Sequence, residues 1–184
     1  MKNTKLQNIV YTGMFAAMIA VCSWIQSPAA VPFTMQTFAV FLTAGLLGGK
    51  RGTVTVLIYI LLGMVGLPVF SGFKGGIGAI IGTTGGYIIG FIFAALVMWM
   101  FEIISRKKAK QNTLILAISM AAGLIICYAF GTAWFIILYT KTKEPVGILT
   151  ALSWCVFPFI LPDIIKIVLA LTLTQKLRRF IPLS

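Results

Sequence analysis

The sequence contains no histidine and only three acidic residues, Glu102, Glu144 and Asp163, among 184. The first absence removes the commonest general base and metal ligand. The second leaves little from which to build a carboxylate pair: Glu102 falls near the cytoplasmic end of one apolar run and Glu144 in an outer loop. No serine or cysteine has a histidine to activate it. An intramembrane enzyme is therefore a weak reading, and no catalytic or metal-ligating residue is expected. The three cysteines, Cys22, Cys127 and Cys155, are odd in number, match no metal spacing and lie in or beside apolar runs, where they read as small buried hydrophobes. A phosphate-binding loop is missing too. Lys50 follows Gly49 but is followed by Arg51, and the glycine-rich stretch from Gly72 to Gly90 lacks the closing Lys-Ser/Thr. No ATP site is encoded, and no cofactor is implied.

Charge of either sign is scarce. Charged residues make up 10% of the chain, against about 25% in soluble domains, while 60% of residues are hydrophobic. This composition describes an integral membrane protein, read as one transmembrane domain over residues 1–184. The 15 basic residues stand in short runs between apolar segments. That is membrane usage rather than a nucleic-acid-binding pattern.

A bilayer core needs about 20 apolar residues per helix. Six runs qualify or nearly qualify: Ile9–Ile25, Met35–Leu47, Thr53–Leu67, Gly85–Ile104, Thr113–Tyr139 and Pro162–Leu177. The second is short. The first lacks an evident cleavage site and is expected to be a retained helix rather than a signal peptide. Val146–Phe159, bounded by Pro145 and Pro158, is either a short interfacial helix or the outer part of a broken sixth span. With the N-terminus inside, eleven basic residues fall on the inner side (Lys2, Lys5, Lys50, Arg51, Arg106, Lys107, Lys108, Lys110, Lys176, Arg178 and Arg179) and three on the outer side (Lys74, Lys141 and Lys143). This asymmetry predicts an all-α integral membrane protein with six transmembrane helices and both termini cytoplasmic. Two long outer connections, Gln26–Thr34 and Pro68–Thr84, are then expected to lie over a ligand cavity, because irregular backbone at membrane depth survives only when buried or lining a cavity.

Asp163 and Lys166 are the two charges inside an apolar run, three residues apart and so on one helix face. Intramembrane charges are costly and normally face a cavity or a partner. Three roles fit: a helix cap after Pro162 with Lys166 as its counter-ion, a polar clamp for a small ligand, or a proton relay. The outer glycine-rich stretch offers Lys74 and Tyr87 as polar handles. Its glycines at 78/82 and 86/90 also have the small-xxx-small spacing of packed helices. Residues 31–38 mix Thr34, Gln36 and Thr37 with Phe33, Met35 and Phe38, suited to a ligand wall or to an ordinary interfacial helix start. In the first span, Gly13/Ala17 and Ala16/Ala20 form two overlapping small-residue rows, for internal packing or for docking another membrane protein.

Three stretches, VPFTMQTFAVFLTAGLLGGKRG, GLPVFSGFKGGIGAIIGTTGGYIIGF and PFILPDIIKIVLA, together resemble the BioY family, the biotin-binding S components of energy-coupling factor transporters. The resemblance implies six helices and a biotin site open to the outside and occluded by loops. It also implies a bacterial plasma-membrane location beside a transmembrane coupling protein and two ATPase subunits. On that resemblance Asp163 accepts a ureido N–H of biotin, and Lys166 donates to the ureido carbonyl or the carboxylate. Tyr87, Gln36 and Thr34 supply further polar contacts, and Phe33 and Phe70 enclose the ring. The family's Ala-x-x-x-Ala feature falls on Ala16 and Ala20 and favours docking there. The rival from another class is a self-sufficient transporter with Asp163 carrying a proton.

Overall fold

The computed structural model describes residues 4–27, 33–105, 112–142 and 144–180. The basic residues Lys2, Arg106, Lys107, Lys108, Lys110 and Lys143, and the prolines at 28 and 32, lie outside the described residues, as do both chain ends. Eight α-helices are described: α1 (Thr4–Trp24), α2 (Gln36–Leu47), α3 (Gly49–Met64), α4 (Ile77–Ile81), α5 (Gly85–Ile104), α6 (Thr113–Thr142), α7 (Ile148–Cys155) and α8 (Phe157–Leu177). A 3-10 turn, Arg178–Phe180, follows α8. Two short strands, β1 (Gln26–Ser27) and β2 (Phe33–Thr34), pair antiparallel between α1 and α2.

Four of these helices are long and apolar enough to cross a membrane: α1, α5, α6 and α8 with the turn that follows it. At about 1.5 Å per residue, the 12 residues of α2 cover only about 18 Å of a core about 30 Å thick. α3 is also short, with 16 residues. α2 and α3 meet at Gly48, whose φ of 84° lets the chain reverse within one residue.

Contacts sort the helix ends into two sets. At one end, Arg178 donates to the Gly45 carbonyl (2.9 Å) and the Gly49 amide donates to Glu102 (2.6 Å). This groups the ends of α2, α5 and α8 with the start of α3. At the other end, Trp24 at the close of α1 donates to the Pro68 carbonyl (2.9 Å) and Trp134 of α6 donates to the Gly82 carbonyl (3.1 Å). The helices α1, α2, α3, α5, α6 and α8 thus alternate in direction. The β1–β2 pair, the 66–76 loop, α4 and the starts of α2 and α8 share the second end.

The core is apolar and closely packed, with Ile19, Val40, Phe41, Val56, Tyr59 and Met120 among its buried residues. The Gly86/Gly90 row serves packing, as its spacing suggests. A Cβ at Gly86 would lie 2.3 Å from Trp134, and one at Gly90 would lie 2.9 Å from the Cys127 sulfur. Gly78 has open space instead and borders a cavity.

The structure corrects two expectations about elements. The last long helix begins at Phe157, with Pro158 in its first turn and Pro162 inside it, and α7 is a separate short helix. The break falls at Val156 (φ −127°, ψ −58°) rather than at Pro162. Pro158 costs no helix hydrogen bond, since the first four N–H groups have no partner within the helix, whereas Pro162 in the second turn gives up the one bond to the Pro158 carbonyl and α8 continues through it. Asp163 is therefore in the second turn of α8, not its cap. The second correction concerns α1. Ala16 and Ala20 are 3% and 6% exposed, inside the core where α1 packs on α2 and α3. Small side chains allow that close approach. Gly13 and Ala17 form the outward row, among exposed Val10, Met14 and Val21. A sequence row of small residues carries no information about which side it faces.

Candidate functional site

A cavity of about 600 Å³ opens where the strand pair, the loops, the first turns of α2, α5 and α8 and the middle of α6 converge. Its volume is that of a small-molecule site. All eight residues named above as ligand contacts line it: Phe33, Thr34, Gln36, Phe70, Lys74, Tyr87, Asp163 and Lys166. The sequence thus points to one place from four separate segments.

Asp163 and Lys166 form an ion pair with Nζ 2.7 Å from Oδ1, and both are at most 4% exposed. Their i, i+3 spacing on α8 brings the two side chains together. Thr37, in the first turn of α2, donates to the same Oδ1 (3.0 Å). The Tyr128 hydroxyl of α6 donates to Oδ2. Lys166 also donates to the Thr34 carbonyl (2.6 Å) and to Thr37 Oγ1 (3.1 Å), and its ammonium sits 3.8 Å from the Phe33 ring centroid. An ammonium has three protons, and here each has an acceptor. On Asp163, Oδ1 takes two donors and Oδ2 takes one, which leaves Oδ2 free to accept one more. The pair welds α8 to the entry of α2, and the tyrosine adds α6.

The walls are set by aromatic rings packed on glycines. Phe70 lies against Gly63 of α3, where a Cβ would come within 2.0 Å of its ring, and meets Tyr59 edge-on with centroids 5.6 Å apart. The Tyr87 ring lies on Gly131 of α6, where a Cβ would be 2.3 Å away, and its hydroxyl is 2.9 Å from Thr132 Oγ1. Phe33 stacks with Phe159 at a centroid distance of 6.3 Å. Gln36 donates from Nε2 to the Tyr59 hydroxyl (2.6 Å), and that hydroxyl donates to the Val69 carbonyl (3.0 Å). Gln36 thus anchors the 66–76 loop as well as bordering the cavity.

The roof is fastened from both sides. Ser23 donates to the Val69 carbonyl (2.6 Å), Gly76 donates to the Gly63 carbonyl (2.7 Å), and Ser71 is bonded to Gln26 of β1. Trp24 stacks on Phe73, which holds a positive φ of 57°. That conformation is rare outside glycine and needs support from its surroundings.

Reading the sequence alone missed Tyr128 and Phe159, and it counted Thr37 among the polar groups of a ligand wall without pairing it with Asp163. Tyr128 lies 35 positions before Asp163 in an apolar run with no polar neighbour to mark it. Cys127 and Cys155 also border the cavity and are free thiols. No group of three or more His, Cys, Asp or Glu side chains gathers among the described residues.

Apolar helices alternating in direction, with a buried ion pair under a loop-covered cavity at one end, define a multi-pass membrane protein with a small-molecule site. Within that class the chain belongs to the BioY family, whose model matches residues 1–183. The chain is 39% identical over 175 residues to "Biotin transporter BioY" of Thermotoga maritima, covering 95% of this chain and 97% of that one. It is 35% identical to "Probable biotin transporter BioY" of Pyrococcus horikoshii, covering 95% and 98%. Among solved structures it resembles the S-component for biotin from an ECF-type ABC transporter, with a TM-score of 0.84 and 27% identity over 97% of this chain and 94% of that one.

Proposed function

We propose that this chain is the biotin-capturing S component of an energy-coupling factor importer in the bacterial plasma membrane. Biotin would sit in the cavity above Asp163. The observation that carries the reading is the buried Asp163 carboxylate, held by three donors and keeping one acceptor position on Oδ2. Biotin offers two ureido N–H donors, an apolar thiophane ring and a carboxylate-bearing tail. A ureido N–H suits Oδ2, and Phe33, Phe70 and Phe159 suit the ring. A charge-assisted bond of this kind is worth about 1.5–3 kcal/mol. Lys166, with its protons engaged, serves as the counter-ion that holds the Asp163 side chain in place. Tyr87, Thr34 and Gln36 stand as secondary polar contacts.

The proposed topology has six passes, α1, α2, α3, α5, α6 and α8, with both chain ends cytoplasmic and residues 1–184 forming one domain. The alternating helix directions and the basic residues Lys50, Arg51, Lys176 and Arg178 near the end away from the cavity support it. α4, α7 and the strand pair then belong to the outer side, where they cover the site. Transport would need a transmembrane coupling protein and two ATPase subunits, since this chain carries no nucleotide motif. The outward row Gly13/Ala17, rather than the buried Ala16/Ala20, is the face of α1 open to the coupling protein. The proton-carrier reading finds less support. A carboxylate bound by Lys166, Thr37 and Tyr128 is poorly placed to exchange protons in each cycle. Titration of the purified chain with biotin tests the function: binding of one biotin per chain is expected, and absence of binding contradicts it.

A further inference from the structure

Taking the cavity as the biotin site, we infer that Lys74 is the specificity residue that reads the ligand's carboxylate, and that Lys166 does not read it. Two cations border the cavity, and they are in opposite situations. The Lys166 protons are given to Asp163, the Thr34 carbonyl and Thr37, and its side chain is 4% exposed. Taking a ligand carboxylate would cost it one of those buried bonds. Its charge is already balanced by Asp163, so that corner of the cavity is neutral as a pair. Lys74 is exposed at the mouth, and its ammonium has neither an acidic partner nor a hydrogen-bond acceptor among the described residues.

The remaining lining residues are uncharged, so Asp163, Lys166 and Lys74 together leave the cavity with one net positive charge. The complement is a ligand with one negative charge. The backbone of Lys74 is also fixed in place. The Phe70 amide donates to its carbonyl (2.9 Å), and the same loop is tied down through Gly76 to Gly63 and through Ser71 to Gln26. A fixed backbone carrying a free ammonium over a cavity with a positive balance is suited to an anionic ligand tail reaching the mouth. The class selected is a small monoacid, in preference to its uncharged amide or ester. Because the mouth is wet, the ion pair is screened, and discrimination should be several-fold rather than absolute. An exposed lysine that merely solvates a loop would be indifferent to the charge on the tail.

Competition between biotin and biotinamide for the purified full-length chain tests the assignment. The parent chain should prefer biotin by about threefold to fivefold, a size set by one partly screened ion pair. Lys74→Arg should keep that preference, Lys74→Gln should bring it within about twofold of unity, and Lys74→Glu should turn it toward biotinamide. An undiminished preference in Lys74→Gln, or no preference in the parent, overturns the role of Lys74 while leaving biotin capture intact. Failure of the parent to bind either compound overturns the proposed function, and this inference with it.

Discussion

Asp163 owes its place to the residues that surround it. A buried ion pair rarely adds net stability, because removing two charges from water costs about as much as their attraction returns. Here the pair is embedded in an apolar helix and satisfied by Thr37, Tyr128 and the Thr34 carbonyl, so loss of one member leaves the others stranded. Lys166→Ala should weaken biotin binding by about tenfold or more, because it removes the counter-ion that holds the Asp163 side chain in place and leaves a buried charge without its partner. Tyr128→Phe removes one neutral donor and should cost less, about threefold to tenfold, read in the same equilibrium binding assay. At this scale the sequence was legible where composition made a residue stand out. Two charges in a hydrophobic run are conspicuous, as are Thr34 and Gln36 among aromatics. Tyr128 and Thr37 were not legible as partners, since a tyrosine or threonine in a membrane helix is ordinary and the contacts span 35 and 126 positions.

At the scale of elements, the cavity walls depend on glycines that let aromatic rings lie against a helix backbone. Gly131→Ala would place a methyl carbon 2.3 Å from the Tyr87 ring, so the ring must swing toward the cavity. Overpacking of this kind costs about 1–3 kcal/mol. The expected outcome is a lower thermal midpoint together with weaker biotin binding; an unchanged binding constant would show that Tyr87 is not a fixed wall. The long runs α1, α5 and α6 could be read from hydropathy because nothing else in a chain sustains 20 apolar residues. The start of α8 could not, because Pro158 and Pro162 suggest a break, whereas Pro158 falls in the first turn, where proline is tolerated, and α8 runs on through Pro162. Nor could the facing of α1. Its two small-residue rows overlap in sequence, and packing on α2 and α3 chose Ala16/Ala20 for the interior.

The whole molecule is a bundle whose cavity lies at one end and whose α1 presents a shallow apolar strip along the outside. If that strip receives the coupling protein, Ala17→Trp should block assembly with it while leaving biotin binding intact. Ala16→Trp, by contrast, should disrupt the fold, since Ala16 is 3% exposed and a bulky ring in a packed core costs several kcal/mol. Co-purification of the complex together with the melting temperature of the lone chain separates the two outcomes, and assembly undisturbed by Ala17→Trp would remove α1 from the interface. The central claim is that the cavity binds biotin through the Asp163 carboxylate. Calorimetric titration of biotin into the purified parent chain and into Asp163→Asn tests it most directly. The parent should bind one biotin per chain, and the variant, still folded, should bind about tenfold more weakly or worse, the loss of at least about 1.4 kcal/mol expected for one charge-assisted bond. Equal affinity in the two proteins would contradict the account.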